Sequence, residues 1–211
     1  MATSPAKENI LKKIRLALSN PVPLPFPQSE GAQSVYKPAG DDDAIIFAEE
    51  FTKLQGNFAF CADENDLHIQ LQQLIKEKGW INIYCKEDKF IPLLTAASVQ
   101  PYPDLASCDA AVTGCEYLVA RTGTMVMSAA QQSGRTASVY APIHICIAYN
   151  SQMLYDVKDA LLFLKEKYAG NFPSFVTFAS GPSRTADIEK TLVTGVHGPK
   201  EVYCFLVEEQ G

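Results

Sequence analysis

From Asp41 onward the chain alternates short apolar runs with segments whose apolar residues recur at helical spacing, and this alternation constrains the fold more than any other feature. "AIIFAEEFTKL" (44–54) reads as a helix that Asp41 to Asp43 can cap, and "NFAFC" (57–61) as a short buried strand. "LHIQLQQLIKEKG" (67–79) is a second helix and "WINIYC" (80–85) the next strand. Leu154, Val157, Leu161, Leu164 and Tyr168 mark one face of a longer helix, with Gly170 placed to end it. "FVTFAS" (175–180) and "EVYCFLV" (201–207) continue the strand series. Apolar strands separated by helices belong to parallel sheets, because the crossover helices cover both sheet faces.

The middle of the chain departs from this order. After Gly123, "TMVMS" (124–128), "ASVY" (137–140) and "IHICIAY" (143–149) are strand-like runs separated by glycine and polar turns, with no room for a helix. That predicts a hairpin or a mixed sheet edge inserted in the α/β order. The expected domain is a three-layer α/β/α sandwich with a mostly parallel mixed sheet over residues 41–211.

Residues 1–40 form a separate arm in this reading. Ile10, Leu11, Ile14, Ala17 and Leu18 stand at helical spacing with Lys12, Lys13 and Arg15 on the other side, and Pro21, Pro23, Pro25, Pro27 and Pro38 then impose an extended connector. The first twenty residues lack the apolar core of a signal peptide, and no run reaches membrane-spanning length. A docking arm, an oligomeric or partnered assembly and a cytoplasmic location are expected.

Composition removes other classes. Hydrophobic residues make up 47% and the formal charge is −6, so the chain has the apolar content for a core and no basic face for nucleic acid. Six cysteines occur without a Cys-x-x-Cys pair, which predicts no metal site and no cofactor held by this chain. Free thiols suit a reducing compartment. No Walker loop, dinucleotide glycine motif, nucleophile elbow or His-Glu-x-x-His is present.

Two stretches carry chemistry. In "FVTFASGPSRTADIEKTL" a strand, a Gly181-Pro182 turn and a helix starting near Ser183 to Thr185 would aim backbone N–H groups, two hydroxyls and the Arg184 guanidinium at an anion. The same spacing also fits a plain helix cap with Arg184 paired to Asp187 or Glu189. "GVHGP" (195–199) is a dictated turn, and His197 in it reads as a proton carrier or as a turn histidine bonded to backbone. Thr122-Gly123-Thr124 and Ser133-Gly134-Arg135 flank the middle strands. His144, inside an apolar run, reads as a core histidine and His68 as a surface one.

"TGTMVM" (122–127), "SGRTASVYAPIHICI" (133–147) and above all "GPSRTADIEKTLVTGVHGPKEVYCFLVEE" (181–209) resemble the LUD domain, the family of lactate-utilisation protein C and YkgG-type proteins. The resemblance covers roughly residues 40–209. It implies the fold of the NagB/RpiA/CoA-transferase group and a component of a cytoplasmic system that oxidises L-lactate to pyruvate beside iron–sulfur partner subunits. A small carboxylate would then be bound by Thr122, Gly123, Thr124, Ser183, Arg184 and Thr185, with Arg184 as the clamp and His197 handling a proton. Family members carry an acidic residue before Thr-Gly-Thr where this chain has Arg121, which argues against a carboxylate nucleophile and adds positive charge beside the expected pocket. Two other classes stay open: a non-catalytic interaction subunit of that system, and a stand-alone CoA- or nucleotide-dependent transferase or ligase.

Overall fold

The computed structural model describes residues 5–19, 42–185, 193–195 and 197–209. It comprises two compact units, Met1–Pro38 and Ala39–Gly211. In the first, helix α1 spans Pro5–Ser19. The proline-rich connector and residues 186–192 lie outside the described residues.

The second unit opens with α2 (Asp43–Lys53), whose N-terminus is capped by the Asp42 carboxylate accepting from the Ala44 N–H. Strand β1 (Asn57–Cys61), α3 (Glu64–Lys78), β2 (Ile83–Cys85) and α4 (Ile91–Ala96) follow. Next come β3 (Ala110–Gly114), β4 (Tyr117–Val119) and β5 (Thr124–Ser128), then α5 (Ala137–Tyr140), β6 (Ile143–Tyr149), β7 (Met153–Leu154) and α6 (Val157–Lys167). The chain ends through β8 (Val176–Ala179), β9 (Arg184–Thr185), β10 (Val193–Thr194) and β11 (Glu201–Val207).

A five-stranded parallel sheet in the order β1-β11-β6-β3-β2 is the centre of the unit. Alternation along its strands sends Ile143, Ile145, Ile147, Tyr203, Phe205 and Val207 to one face, against Leu67, Leu71 and Ile75 of α3 and Leu94 of α4. Cys146, Ala148, Val202, Cys204 and Leu206 go to the other, against Phe47 and Phe51 of α2 and Leu118, Met125 and Met127 of β4 and β5. Those last strands belong to a smaller sheet, β7-β4-β5-β8, whose far face is covered by Ala160 and Leu164 of α6 packed on Val119 and Val126. The α/β class with a mostly parallel central sheet is therefore the one expected, with the mixed insertion forming a sheet of its own.

Three local expectations are corrected. "ASVY" is a single helical turn, because Val139 and Tyr140 N–H groups both donate back to the Thr136 carbonyl and Ala137 and Ala141 are buried beside Tyr84 and Ala111. "FVTFAS" supplies β8, which pairs antiparallel with β5 and so lies outside the parallel sheet. No helix starts at Ser183 to Thr185: the chain there is extended as β9 against β10. The Ser183 N–H donates to the Pro199 carbonyl and the Ser183 carbonyl accepts from Gly195, bonds that a helix start would break.

Candidate functional site

The expected site residues separate into two groups. Thr122, Thr124 and Ser180 form a hydroxyl chain, with Thr124 Oγ1 2.7 Å from Thr122 Oγ1 and 2.6 Å from Ser180 Oγ. They meet because Met125 of β5 lies opposite Ala179 of β8, which brings the neighbours Thr124 and Ser180 together. Gly123 sits at φ +53°, and a side chain there would come within 2.7 Å of the Glu50 carbonyl carbon, so α2 packs directly on this turn. Arg184 belongs to the same neighbourhood: its guanidinium donates to the Leu54 carbonyl at the C-terminus of α2. A cation at that end satisfies an orphan carbonyl and complements the helix dipole. Thr185 contributes a backbone pairing with Val193.

The second group forms a cavity. Gly195, His197, Gly198 and Lys200 from the turn before β11, with Val139, Tyr140 and Pro142 from the turn before β6, enclose about 430 Å³. Both turns stand at the amino ends of neighbouring central strands, and the Lys200 N–H donates to the Pro142 carbonyl at 2.8 Å, tying them together. Gly195 (φ +77°) lets the lysine stem pass: an added Cβ would strike Lys200 Cγ and lie 3.2 Å from its Cα and Cβ. His197 and Lys200 are exposed to this space. Ser183 joins through its backbone bonds to Pro199 and Gly195.

At the carboxyl ends of the same strands lies a cavity of about 670 Å³ with the opposite electrostatic character. Asp63, Glu64, Glu208 and Glu209 line it beside Tyr149 and Asn65. Open α/β sheets place ligands at carboxyl ends as a rule. Here the carboxylates at that end repel an anion, and the cationic lining is at the amino end.

Three further polar groups, Arg121, Glu116 and His144, are structural. Arg121 donates to Asp156, Nε to Oδ2 at 2.6 Å, and Asp156 also caps α6 by accepting from Lys158; these contacts and the backbone bond from Lys158 above all hold the Asp156 carboxyl below its ordinary range. The charge expected to enrich an anion pocket is thus matched by a carboxylate. Glu116 is buried and accepts from Ser128 Oγ at 2.5 Å, Lys167 Nζ at 2.8 Å and Tyr168 Oη at 2.8 Å. Burial pushes its carboxyl up, but those hydrogen bonds and the Lys167 charge outweigh it and hold the group below the usual glutamate range. His144 is buried with Nε2 2.8 Å from Thr113 Oγ1. Since the Thr113 hydroxyl donates to the Gly114 carbonyl, Nε2 carries the ring hydrogen and His144 is a satisfied core residue.

Tyr140, Pro142 and Lys200 were absent from the expected site. Lys200 directly follows the Gly-Val-His-Gly-Pro turn, and its position there was the available signal; Tyr140 and Pro142 reach the cavity only through the parallel pairing of β6 with β11. Among the described residues, no group of three or more His, Cys, Asp or Glu is arranged to hold a metal, and no helix is long and apolar enough to cross a membrane.

Known proteins bear on these features. A crystal structure of a DUF162 family protein from Deinococcus radiodurans is similar in fold, with a TM-score of 0.60, 18% identity, and coverage of 79% of this chain and 99% of that one. An uncharacterized protein of Neisseria meningitidis serogroup B is 38% identical over 100 residues, 47% of this chain and 42% of that protein. Lactate utilization protein C of Bacillus licheniformis is 35% identical over 101 residues, covering 47% and 42%, and that of Deinococcus radiodurans 32% over 107 residues, covering 50% of each. The chain thus matches about half the length of these curated relatives. The LUD domain profile matches residues 81–207, which include the Thr-Gly-Thr turn, both turns of the cationic cavity and β11, and by that match the chain belongs to the LUD domain family.

Proposed function

We propose that the chain is a component of a lactate-utilisation system, and that its cavity beside β6 and β11 binds a small 2-hydroxy or 2-oxo carboxylate. The carrying observation is the contrast between the two ends of these strands: His197 and Lys200 line one cavity, four carboxylates the other. A carboxylate anion is favoured by the first and repelled by the second. In the oxidation of L-lactate to pyruvate, two electrons and two protons leave the substrate. His197 would take the hydroxyl proton, and the C2 hydrogen would leave with its electron pair, as a hydride equivalent, to an electron acceptor held by iron–sulfur partner subunits. Similarity to proteins named lactate utilization protein C supports the system, and the cavity supports the ligand class.

Calorimetric titration of L-lactate and pyruvate into the full chain tests this reading. Saturable binding is expected for at least one of them, and the absence of binding for both overturns it. Co-purification with the cysteine-rich subunits of such a system is expected as well.

A second reading, that of an interaction subunit, draws on a different observation. Leu161, Leu162 and Phe163 of α6 and Phe172, Phe175 and Phe178 around β8 are exposed large apolar side chains within one stretch of the chain. Exposed apolar groups at this density mark partner contacts. In this reading Leu161→Glu with Phe178→Glu abolishes co-purification, while carboxylate binding is absent from the unmodified chain.

A further inference from the structure

We propose that Lys200 is the cation that binds the ligand carboxylate, in place of Arg184; the inference rests on the carboxylate-site reading of the cavity. Arg184 is committed elsewhere, its guanidinium donating to the Leu54 carbonyl at the end of α2. Lys200 is held for the role by its backbone and its stem. Its N–H is tied to Pro142, the next residue enters β11 opposite Ile143, and the stem crosses Gly195, whose missing side chain leaves the lane open into the cavity.

Lys200 also differs from the protein's structural lysines. Lys53, Lys78, Lys89 and Lys167 each lie within 4.0 Å of a glutamate carboxylate, at 2.7, 2.8, 3.7 and 2.8 Å from the closest. Among the described residues, no carboxylate pairs with Lys200. Lys200 thus lines the cavity with its charge unmatched by the described surroundings, and His197 lines the same cavity. A carboxylate seated on Lys200 leaves its 2-substituent within the space that His197 borders. Tyr140, 74% exposed, lines the same cavity.

A lysine recognises charge without the forked geometry of a guanidinium. The site should accordingly accept lactate and pyruvate alike and reject the uncharged amide. The test is calorimetry on the full chain with L-lactate, pyruvate and lactamide, using wild type, Lys200→Met, Lys200→Arg and Arg184→Met. Loss of a charge-assisted contact predicts that Lys200→Met weakens both acids by on the order of tenfold or more, with Lys200→Arg recovering most of the affinity. Arg184→Met is expected to bind within about twofold of wild type and to melt lower, because it loses only its contact to α2. Equal binding by Lys200→Met and wild type overturns the inference while leaving the carboxylate reading intact, whereas wild-type affinity for lactamide equal to that for lactate overturns both. Tenfold loss in Arg184→Met alone returns the clamp to Arg184. A wild type that binds neither acid removes the underlying reading instead.

Discussion

At the scale of single residues, burial withdraws His144 from the groups that titrate near neutrality and makes it a determinant of acid stability. Its pKa is lowered from 6.5 to about 4 by the loss of water around the ring. A lowered folded-state value means that between pH 6.5 and about 4 the unfolded chain binds a proton that the native one refuses, so stability falls as pH drops through that window. The loss approaches ~3 kcal/mol and levels off below the folded value. Glu116 adds to the acid end of the profile, since its depressed carboxyl contributes stability above the unfolded glutamate value and loses it as pH falls through the folded one. Melting curves between pH 7.5 and 4 should show this decline. His144→Gln, which keeps an N–H for Thr113 and cannot titrate, should flatten it above pH 5. Gly123→Ala tests a steric rather than an electrostatic constraint: it combines a positive φ with a clash against the α2 backbone and should cost about 2–4 kcal/mol, read as a lower melting temperature.

At the scale of elements, the carboxylates that open the helices are individually testable. Asp63 caps α3 by accepting from the Asp66 N–H at 2.7 Å, and Asp66 reaches back to the Ala62 N–H at 3.0 Å. Asp63→Ala should lower stability by about 1 kcal/mol in denaturant titrations. Arg121→Glu should lower the melting temperature by several degrees, because it sets a like charge beside the cap of α6, and a second change, Asp156→Arg, should recover part of the loss. The sequence made β1, β5, β6, β11 and the longer helices legible because each is an apolar run or stripe several residues long. "AAVTG" of β3 was less so: alanine and glycine carry little β-signal, and its burial on both faces comes from neighbours distant in sequence. "ASVY" carries valine and tyrosine in a run too short for any period to show, and became a turn of helix. Ser183 to Thr185 precede a helical pattern, yet the Ser183 backbone bonds go to Pro199 and Gly195 while Arg184 and Thr185 pair with Thr194 and Val193, partners that only the tertiary fold supplies.

At the scale of the whole molecule, the parallel pairing of β6 with β11 decides where chemistry can occur, since each turn flanking these strands finds its counterpart only through that pairing. The sequence identified the motif turns, His197 and Ser183 among them, but joined them to Thr122 and Thr124 as one pocket. The fold divides that set, because β8 joins the smaller sheet and draws Thr124, Ser180 and Arg184 toward α2. Lys200 could be read from the chain as a neighbour of the turn; its role as a wall depends on the bond to Pro142, which spacing does not reveal.

All six thiols are buried, with Cys115, Cys146 and Cys204 in the layer between the two sheets. Burial pushes the Cys61 thiol up to about 12 and the Cys85 thiol to about 11, so at neutral pH the nucleophilic thiolate forms are scarce as well as shielded. The native protein should therefore be silent toward a thiol reagent such as Ellman's and give all six equivalents once unfolded by guanidinium. Each cysteine is in effect a clock without an added label: the rate at which it is modified under native conditions times the opening of its own layer, and comparing Cys61 at the sheet edge with Cys146 at its centre would map how the two halves of the core come apart.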